Sequence, residues 1–438
     1  MIIQKFGGTS VGNAQRIKHV AELVQSEPRK IVVLSAVAGT TNKLVEITQA
    51  LYREDKSTVG ELIEGLKTEY NVLINDLYSD KERIEHVAQM LEGHWNHIYA
   101  FTLAMFTPFE ERAVLAQGEL ISTSLFQFYL EEIGADSIRI DALSFMRIDQ
   151  QLEPDEWYIK DNLNRLLSEN TANILITQGF ICRNHFGEVD NLKRGGSDYT
   201  ASIIGVAVEA TEVQIWTDID GMHNNDPRVV NVTKPIERLS FDEAAELAYF
   251  GAKILHPSSV QPARRANIPV VLKSTMASEK PGTIISNAPS GNFIKAVAAK
   301  DGITAIKIKS GRMLMAYGFL RKVFEVFERH KVSIDMITTS EVAVSLTIDS
   351  HENLDPLVKE LRAFGVVEVE TNQCIVCIVG HLIQEEPGHA ALIFNCLASI
   401  PLRMISYGGS KNNVSLLIHE NDKESALRAL NFGLFNLD

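Results

Sequence analysis

Two short glycine-containing stretches carry most of the residues in this chain that could do chemistry. The first, Lys5-Phe6-Gly7-Gly8-Thr9-Ser10, follows the strand-like run Met1-Ile2-Ile3-Gln4 and leads into a helical pattern from Asn13. Such a strand–turn–helix points backbone N–H groups at one spot, and a lysine beside it adds charge, which suits phosphate oxygens. The common phosphate loop is not present, because the lysine precedes the glycines and the G-x-x-x-x-G-K-[ST] spacing is absent. The second stretch is Lys193-Arg194-Gly195-Gly196-Ser197-Asp198-Tyr199-Thr200, which enters an apolar helix over 201–207. Arg194 offers a planar fork for a carboxylate or phosphate, and Asp198 can accept from an ammonium. Each stretch alone also fits a capped helix with a surface ion pair. Together they describe a site for a phosphate donor and a zwitterionic acceptor.

Positioning these groups requires a rigid frame, and residues 1 to about 290 supply one. Ile31-Val32-Val33-Leu34-Ser35, Ile174-Leu175-Ile176-Thr177, Val213-Gln214-Ile215-Trp216-Thr217 and Pro269-Val270-Val271-Leu272 read as buried strands between helical patterns. Continuous apolar strands of this kind predict a parallel-rich α/β sandwich. Ligands of open α/β sheets sit off the carboxyl ends of the strands. Lys5, Ser35, Phe180 and Asp218 each follow such a strand, so one rim should collect them. From Thr40 to Thr107 the pattern is helical, with Ile47 and Leu51, and Leu62, Ile63 and Leu66, at amphipathic spacing. His86, His94 and His97 in this stretch lack a convincing metal-ligand set.

Ala288-Pro289-Ser290-Gly291-Asn292 marks a boundary, and a repeat lies beyond it. Asp335-Met336-Ile337 matches Arg403-Met404-Ile405, and Val344-Ser345-Leu346 matches Val414-Ser415-Leu416. Each unit reads strand, helix, strand, strand, helix, as in a ferredoxin-like βαββαβ module. The second unit stops before a closing strand, while Phe293-Ile294-Lys295-Ala296-Val297-Ala298 precedes the first. This leader is expected to complete the second module, since an unpaired sheet edge would otherwise remain. The expected domains are therefore 1–290, then 301–371, and then 293–300 joined with 372–438.

Composition narrows the function. The chain has 438 residues, with 45% hydrophobic and 22% charged, which fits a water-soluble globular protein of about three domains. A net charge of −14 argues against a nucleic-acid surface and requires any phosphate site to gather its cations locally. Four cysteines, no secretory signal and no long apolar run give the expectation of a reducing, cytoplasmic setting without a membrane segment. Cys374 and Cys377 form a C-x-x-C, yet on a strand they face opposite sides and should share neither a metal nor a disulfide.

Further blocks follow in order: Leu34-Ser35-Ala36-Val37-Ala38-Gly39-Thr40-Thr41-Asn42, Gly118-Glu119-Leu120-Ile121-Ser122, Thr177-Gln178-Gly179-Phe180, Trp216-Thr217-Asp218 and Asp226-Pro227-Arg228. Phe250-Gly251-Ala252-Lys253-Ile254-Leu255-His256-Pro257 completes the series. With the opening Lys5-Phe6-Gly7-Gly8-Thr9-Ser10-Val11, the chain resembles the aspartokinases, members of the amino-acid kinase family. Gly318-Phe319-Leu320 and Ser333 to Glu341 resemble the regulatory region of monofunctional, lysine-sensitive members, whose tandem modules are ACT domains. The resemblance implies an amino-acid-kinase sandwich followed by two ACT modules, and transfer of the ATP γ-phosphoryl group to the β-carboxylate of L-aspartate, with Mg²⁺. It implies catalytic roles for Lys5 and Asp198 and an aspartate pocket of Ser35, Thr41, Glu119, Phe180, Arg194 and Ser197. Gly7, Gly8, Ser10, Thr217, Asp218, His223, Arg228 and Lys253 correspond to the nucleotide side. His223-Asn224-Asn225 stands where relatives commonly carry Tyr-Thr-Thr, which leaves the adenine contact open.

An effector pocket is implied at Met313, Phe319, Leu320, Ser333, Ile334, Asp335, Ser340 and Glu341, with Asp335 suited to the ε-ammonium of lysine. Ala316 stands where such relatives often have Ser. The pocket is expected between two copies of the module, in a homodimer or a tetramer built from it. No homoserine dehydrogenase half is expected, since no G-x-G-x-x-G follows a strand. Two other readings stay open: an amino-acid kinase of different specificity, such as a glutamate 5-kinase or a uridylate kinase, and a non-catalytic amino-acid sensor.

Overall fold

The computed structural model describes the chain apart from residues 27–28, 193–194, 252–254, 289–290, 292–293, 312, 314–316, 382–384, 386 and 438. It contains two compact units, one of Met1–Met222 with Ile254–Asn287 and one of His223–Lys253 with Ala288–Asp438. The sequence pattern places 223–253 in the expected first domain, 1–290. This segment instead packs with the C-terminal residues: Asn225 Nδ2 donates to the Leu427 carbonyl at 3.0 Å, and Asn431 Nδ2 to the Val232 carbonyl at 3.0 Å.

The first unit is α/β. Its strands include β1 (Ile2–Phe6), β2 (Lys30–Leu34), β3 (Ser137–Arg139), β4 (Ile174–Gln178), the small hairpin β5 (Ile181–Arg183) and β6 (Val189–Asn191), and β7 (Glu212–Thr217). In the main sheet the order is β3-β4-β2-β1-β7, then Val270–Ser274 and Thr283–Ser286, and only the last pairing is antiparallel. Burial on both faces explains why these strands read as apolar runs. Every residue of β2 and β4 is buried.

Helices cover both faces of the sheet. They are α1 (Ala14–Val24), α2 (Thr40–Tyr52), α3 (Lys56–Leu77), α4 (Lys81–Ala100), α5 (Pro108–Glu132), α6 (Glu156–Glu169) and α7 (Gly196–Ala207). One core joins α1 to α5 with Phe6, Val32, Leu34, Ile176 and Trp216. On the opposite face α7 lies so close that a Cβ on Gly205 would come 2.7 Å from Val213. Alternation along β1 puts Phe6 on the first face and Lys5, with Ile3, on the face toward α7. Asp55, Asp80 and Asp155 cap α3, α4 and α6, and a Thr107–Glu110 capping box starts α5.

In the second unit one long strand, Ile294–Lys309, serves two modules. Its first part, from Ile294 to Lys300, pairs with Ile375–Gly380; its second part, from Ile303 to Lys309, pairs with residues 366–373. Residues 304–309 also pair with Ala343–Ile348, beside the edge strand Ile337–Thr339, while Asn413–His419 and Met404–Ser406 continue the other half. The leader thus lies in the C-terminal module, with the first repeat between it and its partner strand. Two separate cores result, one around Ile306, Phe327 and Leu346, the other around Val297, Ile378, Leu416 and Leu430. Cys374 belongs to the second core and Cys377 does not, as their strand spacing requires; both thiols are free and buried. Among the described residues no helix is long and apolar enough to cross a membrane.

Candidate active site

Lys5, Ser35 and Phe180 each contact α7 or its first turn. Lys5 Nζ lies 2.6 Å from Asp198 Oδ1, with each side chain about one-eighth exposed. The pairing follows from the fold, since Lys5 points toward α7 and Asp198 stands in the first turn of that helix. Ser35 at the end of β2 donates to Ser197 Oγ at 2.9 Å, joining the second strand to the same helix start. Phe180 holds a left-handed backbone with φ 67°, rare for a bulky side chain, and its N–H donates to Thr200 Oγ1 at 3.0 Å.

Gly8 is where the phosphate turn needs a missing side chain. A Cβ there would sit 2.8 Å from the Ala36 carbonyl oxygen, a backbone atom that cannot yield by rotating. The chain passes from β1 through a 3₁₀ turn, Gly8–Val11, into α1, whose N-cap Asn13 accepts from Arg16 N–H. Ser10 Oγ is buried and 2.7 Å from Thr275 Oγ1. Thr275 in turn donates through Oγ1 and through its backbone N–H to the Thr217 carbonyl, and its own carbonyl meets His19 Nε2 at 2.8 Å. Thr275 was missed in the sequence reading, although a polar Ser274-Thr275 at the end of a buried strand was the available signal.

Glu119 has the most unusual electrostatics. Its carboxylate is 4% exposed; Oε1 accepts from Ala36 N–H at 3.3 Å, and Oε2, though buried, has no partner among the described residues. Burial pushes its pKa up to about 7, against which the Ala36 N–H works only partly. A buried carboxylate with an open lone pair fits a cationic group arriving from outside.

The remaining expected residues divide. Thr41 is exposed in the first turn of α2, where its neighbour Thr40 is buried. Thr217 Oγ1 accepts from Ile219 N–H at 3.0 Å, and Asp218 is exposed in the turn after β7. Arg194 and Lys253 lie outside the described residues. His223 and Arg228 belong to the second unit: His223 Nδ1 is 2.7 Å from Thr233 Oγ1, and Arg228 makes a bidentate pair with Asp226 at 2.9 and 2.7 Å. Arg228 is 83% exposed, so a neighbour two residues away engages it rather than a distant segment.

In the effector region Met313, Phe319, Leu320 and Ile334 lean on the core of the first module, while Ser333, Ser340 and Glu341 are exposed. Ala316 lies outside the described residues. The Asp335 side chain is 1% exposed; its Oδ1 accepts from Tyr249 Oη at 2.7 Å and from Lys300 Nζ at 3.0 Å, while Oδ2 is buried without a partner among the described residues. It lines an open cleft of about 360 Å³ with Glu246, Tyr249, Ser406, Asn413 and Ser415.

Comparison with known proteins gives one family. The amino acid kinase family matches residues 1–274 and the ACT domain residues 376–432. Lysine-sensitive aspartokinase 3 of Escherichia coli is 34% identical over 449 residues, covering 99% of each chain. The crystal structure of the Escherichia coli aspartokinase III with aspartate and ADP superposes with a TM-score of 0.82 at 34% identity, covering 99% of this chain and 100% of that one. Its complex with lysine and aspartate gives 0.83 at 35%, covering 99% of each. With Lys5, Asp198, Glu119 and the serines gathered where parallel strands end, and with likeness along its whole length, the chain belongs to the aspartokinases of the amino acid kinase family.

Proposed function

We propose that the strand-end cluster transfers the γ-phosphoryl group of MgATP to the β-carboxylate of L-aspartate, giving 4-phospho-L-aspartate and ADP, the first step toward lysine, threonine and methionine. The observation that carries this reading is the buried Glu119 carboxylate with its open oxygen, close to the Ser35 and Lys5–Asp198 groups of one rim. Glu119 takes the substrate ammonium, and Ser35, Ser197, Phe180 and Thr41 complete the acceptor pocket with Arg194 on the α-carboxylate. The acceptor carboxylate is already ionised at neutral pH, so no general base is required. Catalysis comes from alignment and charge neutralisation. Asp198 holds Lys5 on the rim until the transferring phosphoryl group supplies competing negative charge. The N–H groups after Gly7 and Gly8, with Ser10, receive the phosphates, and Thr217 and Asp218 serve the nucleotide. Mg²⁺ arrives with the nucleotide as part of the co-substrate.

Lysine is the proposed feedback inhibitor, acting through the first ACT module in a homodimer. A relative matched over 99% of both chains is lysine-sensitive, and its structure has been solved with lysine. Asp335, whose buried Oδ2 has no partner among the described residues, is suited to the ε-ammonium. A coupled ADP-release assay tests both parts. Turnover is expected with aspartate and not with glutamate or UMP, and millimolar lysine should lower it. ADP release with glutamate or UMP alone would sink the assignment.

A further inference from the structure

Tyr70 lies on α3, outside every group used above, and its position ties it to the acceptor pocket. The ring is 3% exposed and meets Trp95 edge-on with centroids 5.4 Å apart. Its hydroxyl lies 2.7 Å from Thr40 Oγ1, which is equally buried, so the two hydroxyls share a hydrogen bond shielded from water. Burial holds the phenol's ionisation far above the ordinary range, and the group stays a neutral hydroxyl. Phenylalanine would fill the same space without the penalty of burying an oxygen, so the hydroxyl matters for what it holds.

It holds the first residue of α2. Thr40 follows Gly39, which sits in the left-handed region at φ 84°, and Thr40 N–H closes a turn onto the Val37 carbonyl at 3.0 Å. Only the link from Ser35 to Gly39 separates this helix start from β2. The link carries Ser35, bonded to Ser197, and Ala36, whose N–H donates to Glu119. Gly118 packs against the same residue: a Cβ there would come 2.8 Å from the Ala36 Cβ. The link is therefore clamped between Gly118-Glu119 at one end and the Tyr70–Thr40 hydrogen bond at the other.

We propose that Tyr70 is a positioning residue for the acceptor amino acid, acting through Thr40 to fix the link that presents Ser35 and the Ala36 N–H beside Glu119. The inference rests on the function proposed above and deepens it. On the full chain, with MgATP and aspartate varied separately, Tyr70→Phe and Thr40→Val should each raise KM for aspartate about five-fold, the worth of one lost buried hydrogen bond. Both should leave kcat within about two-fold and KM for ATP unmoved, the pattern of lost ground-state positioning. The double variant should be no worse than either single one, because both remove the same bond. Thr40→Ser, which keeps the hydroxyl, should retain the wild-type KM. A lowered thermal midpoint with an unmoved KM in Tyr70→Phe would reduce Tyr70 to a packing residue, as would an equal rise in both KM values. A wild-type chain that releases no ADP with aspartate overturns the functional reading itself. An active wild type with an unmoved KM in the variant overturns this inference alone.

Discussion

Each unit of the molecule contains a lysine–aspartate pair, and the two are built for opposite ends. Lys5 and Asp198 stand 2.6 Å apart on a rim with a glycine turn, two serine hydroxyls and the unfilled oxygen of Glu119. Lys300 and Asp335, 3.0 Å apart, have further partners: Asp349 is 2.9 Å from Lys300, and Tyr249 places its hydroxyl on Asp335 and its ring 4.5 Å from the ammonium. Burial alone would lower the Lys300 pKa, yet the bonds to Asp349 and Asp335 outweigh it and raise it. Burial and then the Asp335 bond push the Tyr249 phenol up as well. Substrate can finish the first site at Glu119, whereas a cation arriving at Asp335 meets a carboxylate whose Oδ1 already holds Lys300 and Tyr249. The first arrangement suits turnover, the second suits a switch.

The contrast is sharpest in the lysines. Lys5→Ala should cut kcat about 10²–10³-fold, as loss of a charge-stabilising donor does, while the thermal midpoint stays near wild type. Lys300→Ala should do the reverse, leaving kcat within about three-fold but destabilising the chain by about 2–3 kcal/mol, since Asp335 stays buried and loses its cation. Equal losses of rate in both variants would erase the distinction. Gly8→Ala comes next: the added Cβ meets the Ala36 carbonyl oxygen, and kcat/KM should fall about 10–100-fold through displacement of the phosphate turn.

Asp335→Ala should weaken lysine inhibition about 10–100-fold, the worth of a charge-assisted hydrogen bond, with the uninhibited rate nearly unchanged. Lysine dose–response curves measure this directly, and an unchanged curve would leave Asp335 purely structural. Glu119 gives a pH test. Its pKa of about 7 means that substrate must meet a protonated carboxyl in acid, so KM for aspartate should rise up to about ten-fold per unit as pH falls below 7. A raised carboxyl pKa also means that the folded state binds more protons than the unfolded one between the ordinary Glu value and 7, so this group's contribution to stability declines as pH rises through that window. Glu119→Gln should therefore abolish the pH dependence of KM and, at pH 8, raise the thermal midpoint by roughly 1–4 °C while weakening aspartate binding. The smallest effect is expected for Tyr249→Phe, about 1 kcal/mol of stability from one hydrogen bond.

Much of this protein was legible in its residues. Parallel strands buried on both faces must be continuously apolar, so β2, β4 and β7 stood out, and each marked a point where Lys5, Ser35, Phe180 and Asp218 would gather. The repeat and the spare leader strand were readable because a sheet needs its edge paired. Less was legible in 223–253: the amphipathic helix Phe241–Tyr249 shows in its pattern, but an apolar face does not record which core it meets, and the pattern alone places the segment with the first domain. Asn225 and Asn431 draw it to the C-terminal helix by hydrogen bonds that span some two hundred positions.

By itself, then, the order of residues determined the fold class, the family and the glycine turn. Those depend on hydrophobic period and on local backbone freedom, which act between near neighbours. Tertiary structure alone decided which hydroxyl meets which: Ser10 with Thr275, Thr40 with Tyr70, and Asp335 with Tyr249 and Lys300. A hydrogen bond forms only within about 3 Å and over a narrow range of angles, a condition that packing sets and sequence spacing does not record.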